Sequence, residues 1–530
     1  MTGQSLTALL SGLTWLLFST GCTPVDRWPP FTSEPAAAPP AAEASLSAVL
    51  TKPPSTEKTF PEPADLAALS VEQAVLLALH NNTDLQVRRF APVISGTFAQ
   101  IERGRYDPEF FAELEYYKEK TTETSRSSGE LYNVAGDDTT STAGLRQELP
   151  SGTVVEGTVN HERTISDREP EQQTARLELS VTQSLLRGFG PAVNLAAIRQ
   201  AELETRISLD ELRGFGQTLL ADTEIAYWNY VLAREEIAIF EASLTVARQQ
   251  REDIEARIEV GTLPQIEVAA AKAEEALRIQ ALLDARSLLE ERRLRLLRLL
   301  TPALEDNNNQ SIETTSNPRI SAQPLTDLGD RLELAQRLRA DLNEARLRLQ
   351  QNRLETVVTR NGLLPRLNFF IALGKTGYAE TFSAAFRDLD GNTYDLTTGL
   401  QLSYLLGNRA AKARDLAAQS SRQQALAAVT NLSQLVQLDV RLAANEVERT
   451  RQQIAASSTT RIFQQQTLAA ERERFDVGIS TALLVAQAQR DLLQTQIAEI
   501  EAVVNYRIAL VNLYLAEGSL LERRGVVVSN

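Results

Sequence analysis

Cysteine is almost absent from this chain, since Cys22 is the only one in 530 residues. A single thiol cannot form an intramolecular disulfide, so a disulfide-stapled fold is excluded. The two histidines, His80 and His161, are too far apart in the sequence for the spacing of zinc ligands. Lys and Arg number 54 against 69 Asp and Glu, giving a net charge of −15. This deficit argues against nucleic-acid binding, which needs clustered cations to neutralise phosphates.

The sequence motifs of common enzyme classes are missing as well. No Gly-x-Ser-x-Gly, P-loop or dinucleotide-binding glycine pattern occurs. The segment DLDGN (388–392) has its glycine in the fourth position, whereas a calcium loop has it in the sixth, and Asp-Gly is also a common hairpin turn. We therefore expect no enzymatic activity, no cofactor and no bound metal.

Glycine and proline are scarce within two long runs of helix-forming residues. These runs span residues 191–258 and 409–475, and only Gly214 and Gly216 interrupt the first. At about 1.5 Å per residue, each would form a helix of roughly 100 Å. Apolar residues recur every seventh position, which predicts that the helices pack side by side. The recurring residues are Ile225, Leu232, Ile239, Val246, Ile497, Val504 and Val511.

Residues 1–21 predict a secretory signal peptide. Their apolar run is shorter than the ~20 residues that cross a bilayer, and it ends in Ser-Thr-Gly-Cys. This ending resembles a bacterial lipobox, which makes Cys22 a candidate lipidation site. A plain cleaved signal is the alternative, because no Lys or Arg precedes Arg27 and Ser19 stands where a lipobox prefers leucine. Residues 22–65 are rich in Pro and Ala and predict a tether to the folded body.

The folded body contains an internal duplication. Residues 71–89 align with 328–346 at a spacing of 257, which also places Pro108 on Pro365. Two Val-Gly turns, ARIEVGTL and ERFDVGIS, recur at a spacing of 217, each between two long helical runs. About 40 extra residues therefore lie between the proline and the long helix of the first half, where they form either an added hairpin or a longer loop.

Each half is predicted to contain a helix, strands, a long helix, a turn and a second long helix. The predicted boundaries are 66–303 for the first repeat (strands 109–187, helix 191–258, tip turn 260–262, helix 263–300), 304–325 for a linker, 326–521 for the second repeat (strands 366–406, helix 409–475, tip turn 477–480, helix 481–516) and 522–530 for a C-terminal tail.

The predicted strands alternate between apolar and polar residues. In the first of them, Phe110, Leu114 and Tyr116 share one face, and Glu113 and Glu115 share the other. Such alternation is typical of transmembrane β-strands, with a soluble sheet as the alternative. Strands cross a bilayer only in a closed barrel, and one chain has too few for an open channel. Several copies would therefore contribute to one barrel.

The duplicated order of elements, with a Val-Gly turn in each half, resembles the TolC family of outer-membrane efflux proteins over about residues 66–521. The resemblance implies a mixed α/β membrane protein. Three chains would build one shared transmembrane β-barrel in the outer membrane of a Gram-negative bacterium. A long α-helical coiled-coil tunnel would continue the barrel across the periplasm.

The same resemblance implies an exit channel of a tripartite efflux or type I secretion system. Its partners would be the other two copies of the homotrimer, a periplasmic adaptor (membrane fusion protein), an inner-membrane pump and outer-membrane lipid. In the family the adaptor docks at the hairpin turns. The corresponding residues here are Val260, Gly261, Thr262, Val477, Gly478 and Ile479.

A gate is expected close to these turns. Several family members carry acidic rings six or nine positions after the tip glycine, but here only Glu267 keeps a carboxylate at such a position. The candidate gate residues are therefore Glu267, Leu483, Leu484 and Gln487, with the leucines of three chains closing the tunnel by excluding water.

Two other functions remain open on the sequence alone, a passive porin-like channel and a structural coiled-coil lipoprotein that spans the periplasm. Drug, metal-ion and polypeptide export all use the implied architecture, so the sequence does not specify the cargo.

Overall fold

The computed structural model describes residues 68–167, 169–300 and 312–526. The predicted signal peptide, Cys22 and the tether lie outside this range. The helices are α1 Val71–Asn81, α2 Thr83–Arg88, α3 Phe90–Gly104, α4 Pro191–Asn194, α5 Ala196–Glu259, α6 Glu267–Leu300, α7 Leu328–Leu338, α8 Ala340–Asn361, α9 Phe382–Asp388, α10 Arg409–Asp476, α11 Ala482–Glu517 and α12 Leu520–Arg523. The strands are β1 Glu109–Thr124, β2 Leu131–Glu148, β3 Thr153–Ser166, β4 Glu169–Ser184, β5 Arg366–Ala379 and β6 Asp395–Ser403. Searching these residues finds no helix long and apolar enough to cross a membrane.

Four long helices pack side by side in two hairpins. α5 has 64 residues and α10 has 68, so each extends about 100 Å at the usual helical rise. α5 pairs with α6, α10 pairs with α11, and α11 also lies against α5. The order across the layer is therefore α6, α5, α11, α10. Nearer the strands, α8 packs between α5 and α10, and α3 packs on α5.

The largest core cluster lies where these helices meet the segments that precede α1 and α7. Tyr227 and Trp228 of α5 are buried against Leu296 and Val504. The hydroxyl of Tyr227 donates to the carbonyl oxygen of Leu69 at 3.0 Å, because a buried tyrosine needs a partner for its O–H. Of the seven residues in the predicted heptad pattern, Val504 and Val511 are buried and the other five are half-buried.

The six strands form one antiparallel sheet in the order β1-β2-β3-β4-β5-β6. Pairing of β4 with β5 joins the first half of the chain to the second. The extra residues of the first half form the β2–β3 hairpin, which agrees with the first of the two alternatives given by the sequence. The strands alternate in accord with the pleat, with one face more apolar than the other. In β2 this division holds only near the C-terminal end, at Ala143 and Leu145, because Asp137, Thr139 and Ser141 lie on the same face.

Three predicted boundaries are wrong. The long helix begins at Ala196 and not at 191, because the Asn194 side chain donates to the carbonyl of Gly188 (2.9 Å) and holds a separate first turn, α4. α6 begins at Glu267 and not at 263: Pro264 disfavours a helical conformation at Leu263, and a turn at residues 265–266 precedes the helix. Residues 366–406 are not all strand and loop, because α9 lies between β5 and β6.

α9 packs on the apolar face of the sheet, where its carbonyl groups approach Gly377 of β5. A Cβ at Gly377 would come within 2.2 Å of the Ala385 oxygen, so only glycine fits there. Phe382 contacts the His161 ring at a centroid distance of 4.7 Å, which places this histidine in an aromatic cluster. In the described part of the chain, no group of three His, Cys, Asp or Glu residues has a geometry that could hold a metal ion.

The C-terminal segment is fixed to α5 by a buried ion pair. Arg524 donates two hydrogen bonds, of 2.6 and 2.5 Å, to the carboxylate of Glu224, which is fully buried. Replacing Arg524 by alanine would leave a buried charge without its partner, which typically costs about 3 kcal/mol of folding free energy. We expect a lower midpoint of thermal unfolding for Arg524→Ala in detergent, partly restored by the additional change Glu224→Gln. An unchanged midpoint would contradict this role for the pair.

Candidate functional site

The first Val-Gly turn closes the C-terminus of α5 with two backbone hydrogen bonds. The N–H of Gly261 donates to the carbonyl of Ile258, and that of Thr262 donates to the carbonyl of Arg257, both at 2.9 Å. Gly261 has a φ of +76°, in the left-handed region that favours glycine. This pair of bonds with a left-handed residue is the Schellman motif, which satisfies carbonyls that a helix end would leave free.

The second Val-Gly turn repeats the same geometry at the end of α10. Gly478 has a φ of +80°, and its N–H donates to the carbonyl of Phe475 at 3.0 Å. The N–H of Ile479 donates to the carbonyl of Arg474 at 2.9 Å. The repeated Arg-x-x-Val-Gly pattern thus has a structural basis, because the arginine carbonyl and the glycine backbone form the same cap twice.

The chain brings the two turns together at the same end of the helical layer. The guanidinium of Arg257 lies 2.7 Å from a carboxylate oxygen of Asp476 and 5.5 Å from the centre of the Phe475 ring. The pair is partly exposed, so it contributes at most ~1 kcal/mol and mainly orients the turns. No local pattern in the sequence predicts this contact, although Arg257 belongs to the repeated motif.

Large apolar side chains project into solvent at these turns. Val260, Val477 and Ile479 are 74%, 72% and 75% exposed, and Ile266 at the start of the next helix is 78% exposed. Single exposed apolar residues are ordinary on proteins. Four of them on adjoining turns form an apolar surface of the kind that marks a partner-binding site. We call these four residues the tip surface.

A small apolar core and a layer of charged and amide groups lie in the helices next to the turns. Ile254, Ala271 and Ala482, from three different helices, are buried together directly behind the turns. Further along, the amide of Gln489 on α11 donates to that of Gln250 on α5 at 2.5 Å. Such contacts hold the two hairpins to each other and so fix the relative position of their tips.

The buried pair Glu274 and Arg278 belongs to the same layer, with their side chains 2.5 Å apart. Arg490 of α11 approaches Glu274 of α6 at 3.6 Å. The pKa of the nearby Arg251 is lowered by burial, but the carboxylates of Glu255 and Glu275 more than compensate and raise it overall. The guanidinium of Arg251 therefore stays protonated at neutral pH.

The candidate gate residues lie on two helices. Leu483, Leu484 and Gln487 share one exposed face at the start of α11, whose N-cap Thr481 accepts a hydrogen bond from the Leu484 N–H. Glu267 is half-buried in the first turn of α6. The structure thus groups the two leucines with Gln487 and leaves Glu267 on the neighbouring hairpin.

Comparison with known proteins bears on this arrangement of helices and strands. Residues 332–519, which run from α7 to α11 and include the second tip turn, match the profile of the family described as outer membrane efflux protein. This part of the chain is similar to the outer membrane efflux protein family. The family is one of channels and not of enzymes. The match points to an outer-membrane location and to a role as an exit channel in efflux.

Known outer-membrane proteins resemble this chain over most of its length. The outer membrane efflux protein BepC of Brucella suis is 24% identical over 371 residues, which is 69% of this chain and 77% of BepC. The CmeC outer membrane channel of Campylobacter jejuni superimposes with a TM-score of 0.61 over 85% of each chain, at 16% identity. VceC of Vibrio cholerae gives 0.60 over 84% of this chain and 96% of VceC, at 17% identity. These structures share the mixed helical and strand fold.

Proposed function

We propose that three copies of this chain close into one channel, which a periplasmic adaptor connects to an inner-membrane pump. The observation that carries the proposal is that this layer of strands and helices has two open edges along its whole length. Each edge exposes groups that a neighbouring copy could cover. The order of the elements places β1 and α3 along one edge, and β6 and α10 along the other.

The sheet is open at β1 and β6. Within the described residues, each of these strands pairs on one side only. An edge strand presents unpaired N–H and C=O groups, which are costly to place in lipid unless another strand covers them. β1 runs antiparallel to β6 across an even number of strands, so β6 of one copy can continue the antiparallel pattern with β1 of the next.

The helical edges expose apolar side chains. On α3, Phe90, Ile94, Phe98 and Ile101 form an exposed stripe on the side away from α5. On α10, the exposed stripe consists of Leu435, Leu438 and Leu442. On α6, Leu277 and Leu283 are exposed. Exposed apolar surface of this extent on both edges supports helix packing between copies.

The sheet supports a barrel in the outer membrane, because its apolar face suits lipid and its polar face suits an aqueous lumen. The long helices would then form the tunnel through the periplasm. Leu483 and Leu484 on their exposed face of α11 could close this tunnel near the tips by excluding water, with Gln487 and Glu267 close by. The division into two repeats at 66–303 and 326–521 remains part of this proposal.

The tip surface is proposed as the docking site of the adaptor. Its exposed valines and isoleucines lie on turns with fixed caps, so the surface is presented without loss of conformational freedom on binding. Drugs, metal ions and polypeptides all remain possible cargo. The N-terminal signal and lipidation of Cys22 would add a second attachment to the outer membrane.

Negative-stain electron microscopy of the detergent-purified chain tests the proposal. We expect three-fold particles with a hollow helical body about 100 Å long, as the helix rise requires. A passive porin would lack this body, and a structural coiled coil would lack a barrel and raise no drug sensitivity when deleted. Particles without three-fold symmetry would contradict the proposal.

A further inference from the structure

The β2–β3 hairpin has an apolar and a polar face along β3 and along the C-terminal part of β2, at Ala143 and Leu145. One row of partners runs straight across the sheet on the apolar face. The residues of this row are Phe110, Leu145, Gly157, Leu179, Leu373 and Leu396. All five large side chains of the row are exposed in the single copy. The apolar band therefore passes through β2 and β3 without interruption.

The polar face of the hairpin is also in register with the polar faces of β1 and β4. A row on this polar face consists of Glu109, Arg146, Glu156, Ser180, Ala372 and Thr397. Arg146 of β2 donates to the carboxylate of Glu156 of β3 at 2.7 Å. A hairpin that stood in water above the membrane would have no physical reason to place Leu145 and Val159 in line with Leu179 and Leu177 on the apolar face of β4.

We infer that the β2–β3 hairpin belongs to the transmembrane wall, so that the closed barrel contains eighteen strands, six from each of three copies. This inference rests on the proposed three-copy channel. If the hairpin were an extracellular loop, each copy would contribute four strands and the barrel would have twelve.

The directions of the strands are compatible with closure by six strands per copy, because an even number of antiparallel strands leaves β1 and β6 running in opposite directions. β6 and the β1 of the next copy run antiparallel, as every observed pair in the sheet does. Their apolar faces match when even-numbered residues of β6, such as Leu400 and Leu402, lie beside even-numbered residues of β1, such as Phe110 and Ala112.

The number of strands sets the diameter of the barrel and so the width of the export path. Barrel diameter grows roughly linearly with strand number, and barrels of 16 to 18 strands enclose an aqueous channel. An eighteen-stranded barrel would be about half as wide again as a twelve-stranded one. Size selection of solutes would then fall to the helical tips and not to the barrel.

Cysteine accessibility tests whether the hairpin is in the wall. In a Cys22→Ser background, Val159→Cys would place a thiol on the apolar face of β3, and Thr158→Cys would place one on its polar face. Leu373→Cys and Ala372→Cys form the reference pair on β5. In lipid nanodiscs, we expect a membrane-impermeant maleimide to modify position 158 at least tenfold faster than 159, as at 372 relative to 373. Ala143→Cys and Thr142→Cys on β2 form a second test pair if a β3 variant fails to fold.

The labelling results distinguish a failure of this inference about the hairpin from a failure of the proposed three-copy channel. Equal labelling at 158 and 159, with alternation retained at 372 and 373, would overturn the inference and leave the channel standing. Loss of alternation on both strands would overturn the channel as well. A cross-section of the barrel by electron cryomicroscopy gives an independent count, in which eighteen strands would support the inference and twelve would refute it.

Discussion

Replacing both tip glycines by valine, Gly261→Val together with Gly478→Val, is expected to abolish export of a pump substrate. Both residues have positive φ angles near +80°, where a Cβ costs roughly 1–2 kcal/mol per residue. Their Cβ positions are open, so the substitutions cause no clash and act through the backbone alone. The strain should open the caps and misplace Val260 and Val477 in the tip surface. Drug sensitivity of a complemented deletion strain would measure the loss.

The matched control is the double substitution of the same glycines by asparagine, which adopts the left-handed conformation more easily than valine. The asparagine variant should keep most of the export activity, and both variants should still form trimers in the outer membrane. Normal resistance with the valine variant would remove the tip turns as the docking site. Loss of trimers would show that the turns act in folding instead.

Local signals in the sequence gave a good account of the elements in this structure. The helix α5 ends one residue after the predicted end at 258, and α10 ends one residue after 475. Such agreement is expected where a helix stops at a glycine that must adopt a left-handed conformation, because that signal is local. The resemblance to the family of efflux channels is confirmed by the match over residues 332–519.

Features that depend on distant parts of the chain could not be predicted in this way. The contact of Arg257 with Asp476 joins residues 219 positions apart, and no local pattern distinguishes this pair from other exposed charges. The start at Ala196 depends on the hydrogen bonds of Asn194 with the loop before it. α9 forms because its residues find an apolar surface and a glycine on β5, which only the assembled sheet provides.

Contacts with other copies also depend on surfaces outside the local sequence, as the two faces of α10 illustrate. One face of this helix is buried within the chain through Val436, Val440 and Val447, next to Tyr506 and Leu513 of α11. The opposite face carries the exposed α10 stripe, 45–59% accessible in the single copy. A helix that is apolar on two opposite faces has two sets of neighbours. Only one set lies in its own chain.

We therefore expect Leu438→Asp with Leu442→Asp to prevent assembly of the trimer and, with it, export. Each leucine would forfeit about 1.5–3 kcal/mol of burial, and each introduced carboxylate would have to leave water. A trimer has three such contacts between copies, so this loss of binding free energy would occur three times. The helical circular dichroism should stay unchanged, because both residues face solvent in the single copy. Light scattering in detergent, with Gln437→Asp as the control outside the stripe, would measure the state of assembly. A trimer that tolerates both aspartates would place this face of α10 toward solvent or the lumen, and it would contradict the proposed packing of the α10 edge against the next copy.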